Sequence, residues 1–168
     1  MPLWLIGFVH AVEALNYRIG RFANYLFFAL AAVLLWSIIA KALFRSPLWT
    51  QEMAQFIMVG YFVLGGAYSL QLGTNVRMDL AYGRWSARRR ALVDAVTVFA
   101  MIFFLGVILY GGIESTIYAL EYAERSRTVW RPYMAPIKIV ICIGVLLMIL
   151  QSLCFLIRDI AFLRGEEI

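Results

Sequence analysis

The chain has 168 residues, 64% of them hydrophobic, with a mean hydropathy of +0.83, far above ordinary soluble domains. Four stretches without Asp, Glu, Lys, Arg or His, at residues 22–40, 53–76, 95–113 and 139–157, take up about half of it and exclude a separate soluble domain. The net charge of +5 would suit a nucleic acid, but the arginines sit in short segments beside those stretches, as the positive-inside rule requires, and nucleic-acid binding is set aside.

The charge-free stretches run 19, 24, 19 and 19 residues. Nineteen helical residues cover about 29 Å, close to the hydrocarbon thickness of a bilayer. In that medium the backbone satisfies its hydrogen bonds only in helices or a closed barrel, and runs of this length mean helices. The expected fold is an all-α membrane protein: a single domain, 1–168, with spans at about 22–43, 50–74, 91–114 and 136–158.

Residues 1–21 are too polar to span. Leu5, Phe8, Val9, Val12, Leu15 and Ile19 follow helical spacing, with His10, Glu13, Tyr17 and Arg21 opposite, which predicts an amphipathic helix lying in the interface ahead of the first span. A signal peptide is the rival reading, but no basic residue precedes the apolar run and Glu13 spoils a cleavage site. The first span ends at Lys41–Arg45, and a tight turn follows with Ser46 as N-cap and Pro47 at the first helical position. Trp49 falls where an interfacial aromatic belongs.

The second span opens with Glu52 and Gln55 and carries Gly65, Gly66 and Ser69, of which Gly65-x-x-x-Ser69 is a small-xxx-small pair suited to close helix approach. Glu52 has two readings: a proton or cation site inside a bundle, or a structural carboxylate paired with Lys41 or Arg45 across the turn. The next segment is the most basic, with Arg84, Arg88, Arg89 and Arg90 as topology determinants and candidate contacts to anionic headgroups. Near the far ends of spans three and four, Glu114 and Lys138 sit at similar depth and are a candidate ion pair. Between them lies a loop with Arg125, Arg127, Trp130 and Arg131.

Lys and Arg count nine in the termini and the 2–3 segment (Arg18, Arg21, Arg77, Arg84, Arg88, Arg89, Arg90, Arg158, Arg164) and six in the other two loops (Lys41, Arg45, Arg125, Arg127, Arg131, Lys138). The excess predicts both termini in the cytoplasm. Cys142 and Cys154, about 18 Å apart along one helix, cannot pair and read as small apolar fillers. His10 is the single histidine, and neither a metal-ligand cluster nor a catalytic motif appears, so no enzyme, cofactor or metal is expected.

The order of features resembles the small membrane subunit, the DctQ-like Q subunit, of tripartite ATP-independent periplasmic (TRAP) transporters. The resemblance rests on Trp49-x-x-Glu52 opening span two, Leu64-Gly65-Gly66-Ala67 within it, and Gly73-Thr74-Asn75-Val76-Arg77-Met78-Asp79 after it. The basic run and Asp94 follow, and Glu124-Arg125-Ser126 with Pro136-Ile137-Lys138 resemble the mannitol or chloroaromatic branch; together these cover about residues 16–160. Two features depart from the pattern: Asn75 stands where many relatives have His, and the segment after Ser126 is not Gly-rich.

The resemblance implies a non-catalytic, multi-pass subunit of the bacterial inner membrane, among membrane lipids, in a sodium-coupled importer of an organic acid. A soluble periplasmic protein would capture the carboxylate or sulfonate, and a large multi-span subunit would hold the solute and sodium sites. This chain would brace that subunit's scaffold through Trp49, Glu52, Gln55, Gly65, Gly66 and Ser69. Arg125, Arg127, Trp130 and Arg131 would contact the binding protein. The alternative from the residues alone is a small homodimeric exporter working around Glu52; a membrane enzyme acting on lipids is a third, with no acid–base constellation to serve it.

Overall fold

The computed structural model describes residues 3–43, 47–72 and 87–164, with the backbone alone at residues 3, 87–92, 94, 95, 159 and 162–164. The described residues form four helices: α1 (Leu3–Leu43), α2 (Thr50–Gln71), α3 (Ala87–Glu121) and α4 (Ala135–Arg164). All four are long and apolar enough to cross a membrane.

The amphipathic segment expected ahead of the first span is continuous with it, so that α1 is one helix of 41 residues, about 61 Å long. No proline interrupts residues 3–43, and neither Gly7 nor Gly20 stops the helix. At the other end of α1 the turn differs from expectation as well. Pro47 precedes α2 instead of opening it; Trp49 is the N-cap residue and makes no side-chain cap bond. The hydroxyl of Thr50 donates to the Pro47 carbonyl at 3.1 Å and lies 3.1 Å from Ser37 Oγ, which ties the start of α2 to α1. Ser46 lies outside the described residues.

α1 packs along α2, α2 along α4, and α4 along α3, while α1 meets α4 over a short stretch. The contacts set the directions. Gly60 meets Val140, Val63 meets Gly144 and Gly66 meets Met148, so α2 and α4 run parallel. Asn16 meets Gln151 and Glu13 meets Arg158, so α1 and α4 are antiparallel, and the start of α1 and the end of α4 lie at one end of the bundle.

The interior is built from small side chains. Ala23, Ala40, Ala54, Ala67, Ala119, Ala135, Ala161, Ser37 and Ser152 are buried, whereas Phe28, Trp36, Phe62, Phe99, Phe103 and Phe104 face outward. Lipid tails are as apolar as leucine, so helices in a bilayer gain by close van der Waals approach instead of by hiding large apolar groups. Gly144 shows this most directly: a Cβ there would lie 2.3 Å from Val63 Cγ1 and 2.9 Å from the Val63 carbonyl oxygen.

Candidate functional site

On α2, residues Gln51, Gln55, Met58, Phe62, Gly65, Ser69 and Leu72 recur at alternating intervals of four and three, the spacing of a helix–helix seam. Gln51, Gln55, Met58, Phe62 and Leu72 are exposed, and Gly65 and Ser69 are half-exposed. Among the described residues nothing lies within 4 Å of where a Gly65 Cβ would stand, and a cleft of about 350 Å³ opens beside it between α1 and α2. Asn24 and Tyr68 line that cleft.

The six residues expected at a partner interface therefore separate. Gln55, Gly65 and Ser69 share the outward seam, and Trp49 is partly exposed at its start. Gly66 faces the other way, where its Cβ would fall 2.2 Å from Met148 Cε, so it serves the packing of α2 on α4. Glu52 is also turned inward, at 7% exposure, with Oε2 buried and unpartnered among the described residues. Its expected partner Lys41 is exposed and makes no ion pair with it, and Arg45 lies outside the described residues.

The pairing expected between Glu114 and Lys138 is replaced by another. Lys138 Nζ binds Glu124 and donates to the Ser115 carbonyl at 3.3 Å. The reason is the end of α3. Ala123 adopts φ 46°, and the Glu124 amide bonds back to the Ala119 carbonyl at 3.1 Å, a Schellman closure that swings Glu124 toward the first turn of α4. Beyond it the chain pairs with itself. Arg125 bridges Tyr133, the Ser126 amide donates to the Pro132 carbonyl at 3.0 Å, and the Met134 amide donates to that of Glu124 at 3.0 Å.

This tie brings Arg125, Arg127, Trp130 and Arg131 together on one closed loop. All four are exposed, Val129 between them is 77% exposed, and the three guanidinium groups have no carboxylate partner among the described residues. Arg84 lies outside the described residues, and Arg88, Arg89 and Arg90 fall in the first turn of α3.

A polar cluster that no sequence motif announces stands where α1, α2 and α4 meet. Asn16 Nδ2 donates to Gln151 Oε1 at 2.7 Å, Gln71 Nε2 donates to the Glu13 carbonyl at 3.3 Å, and Arg158 stands 2.7 Å from Glu13 Oε1. Gln151, an amide inside a charge-free span, was the signal available for it.

Four spanning helices closed on a small-residue interior, with one face of α2 left open, define a polytopic helical membrane subunit. The model of a protein family described as "Tripartite ATP-independent periplasmic transporters, DctQ component" matches residues 19–162. The chain belongs to that family: it is a small, non-catalytic TRAP transporter membrane subunit of the inner membrane, in a family that functions with a large subunit and a periplasmic binding protein. No curated protein and no solved structure matches it.

Proposed function

We propose that this subunit serves a sodium-coupled importer of an organic acid, a carboxylate or sulfonate. It braces the scaffold of the large subunit with the α2 seam and receives the binding protein on the loop at residues 124–134. The open seam carries this reading. Ala54, Gly66 and Ala67 are consumed within the chain, while Gln55 and Gly65 line up on a face with room for another helix. Three arginines without a carboxylate partner among the described residues, around Val129 and Trp130, suit an acidic surface on a soluble partner. The Lys and Arg excess in the termini and the 2–3 segment together supports placing both termini in the cytoplasm, with the loop on the periplasmic face. Solute and sodium sites belong to the large subunit in this reading.

The test is reconstitution of both membrane subunits with the binding protein in vesicles carrying a sodium gradient. Uptake of an organic acid that needs all three proteins and the gradient is expected, with Gly65→Leu abolishing co-purification of the large subunit. Uptake by this chain alone, or uptake indifferent to sodium, overturns the reading.

A further inference from the structure

α1 and α4 touch where Val9, Val12 and Asn16 meet Leu150, Gln151 and Cys154, and beyond that contact they part over α2. The wedge between them is a groove of about 310 Å³, walled by Phe22 and Leu26 of α1, Ile57 and Leu64 of α2 and Val140 of α4, with every lining side chain apolar. Gly60 forms its floor, its Cβ direction 3.6 Å from Leu26 Cδ1 and 4.0 Å from Val140 Cγ1. Water does not fill such a space. A single hydrocarbon chain suits a groove whose lining side chains, on three helices, are all apolar.

Arg18 precedes Phe22 by one turn, so helical spacing assigns it to the same side of α1, at the polar end of the groove wall. Arg18 is exposed and has no carboxylate partner among the described residues, whereas Glu13 on the same helix is held by Arg158. Residue 22 opens the charge-free run of α1, so this cation sits at the depth of lipid phosphates.

We propose that this groove is a phospholipid site: the phosphate pairs with Arg18 and one acyl chain lies between α1, α2 and α4 over Gly60. It lies on a different face of α2 from the Gln51-to-Leu72 seam, so it stands or falls independently of the large-subunit interface.

The experiment uses the full chain with its partner subunit in phosphatidylglycerol vesicles containing a phospholipid with a diazirine in mid-chain. Illumination should place adducts on residues 22–26 and 56–64. Arg18→Gln should lower that labelling about fivefold, the contribution of one interfacial arginine, and Arg18→Lys should keep it. Gly60→Leu should abolish it, while Gly60→Ala, whose methyl makes ordinary contacts, keeps it and shows that the fold stands. A diazirine diacylglycerol, which has no phosphate, should ignore Arg18→Gln. Labelling unchanged in both Arg18→Gln and Gly60→Leu overturns the site. Loss in Gly60→Leu alone overturns the headgroup assignment. A photoreactive residue at position 57 that links to protein instead of lipid replaces the lipid with a partner.

Discussion

Asn16 of α1 donates its Nδ2 hydrogen to Gln151 Oε1 of α4 at 2.7 Å, with both side chains fully buried and 135 residues apart in sequence. Asn16 Oδ1 and Gln151 Nε2 remain unpartnered among the described residues beside that bond. Each amide is thus half-satisfied, and removing either leaves the other a wholly orphaned buried polar group. Asn16→Leu and Gln151→Leu should each lower stability by about 1–2 kcal/mol, and the double variant should recover most of the loss. Denaturation midpoints of the four proteins in one detergent check this; additive losses would show that the amides act independently.

Gly144 and Gly66 both lie between α2 and α4, yet they should respond very differently to alanine. At residue 144 the new methyl meets the Val63 backbone, which cannot yield without separating the helices, and the loss should be about 2 kcal/mol. At residue 66 the obstacle is the end of Met148, a flexible thioether that swings away, and the change should stay within about 0.5 kcal/mol. Thermal unfolding of the two variants orders them.

Lys138 should be energetically coupled to Glu124 and not to Glu114. Replacing Lys138 by Met and Glu124 by Gln, singly and together, should reveal a coupling of about 0.5–1 kcal/mol, modest because Glu124 is 36% exposed and Lys138 18%. The same cycle with Glu114→Gln should sum to zero coupling.

Ala123 occupies the left-handed position that ends α3, where a Cβ is unfavourable and glycine is the usual choice. Ala123→Gly should raise stability by about 0.5–1 kcal/mol without altering the loop. Ala123→Val should lower it, read from the same unfolding midpoints.

Charge reversal at Arg127 and Arg131 should slow uptake in the reconstituted system and leave the membrane complex intact. The deficit should shrink as salt is added, because exposed charges are screened beyond about 8 Å at physiological ionic strength. A deficit that is insensitive to salt would place these arginines in a structural role.

Much of the architecture was legible in the chain, for identifiable reasons. A charged group in a bilayer is costly, so each run of 19 or more residues without one reports a span before any contact is known. The periodicity of residues 5–19 read correctly as helix, but the sequence pattern carried no mark of whether that helix ends before the first span; with no proline between residues 3 and 43, it does not. Gly65 and Gly66 look equivalent in sequence. One opens onto a cleft and the other onto Met148, and neighbouring positions on a helix point about 100° apart. Lys138 had acidic candidates at 114 and 124, and the backbone turn at Ala123 chose between them.

The sequence by itself determined that this is a four-span helical membrane protein with its charges kept to the span ends, because partition into a bilayer depends on composition summed over a whole segment. Only the tertiary structure decided which face of α2 is spent on α4 and which is left open, that α1 and α4 part to form a groove, and that four loop residues share one closed loop. Membrane helices are apolar on every side, so no amphipathic pattern announces their partners. The choice rests on steric fit at a few contacts such as Gly144 with Val63 and Gly20 with Tyr68.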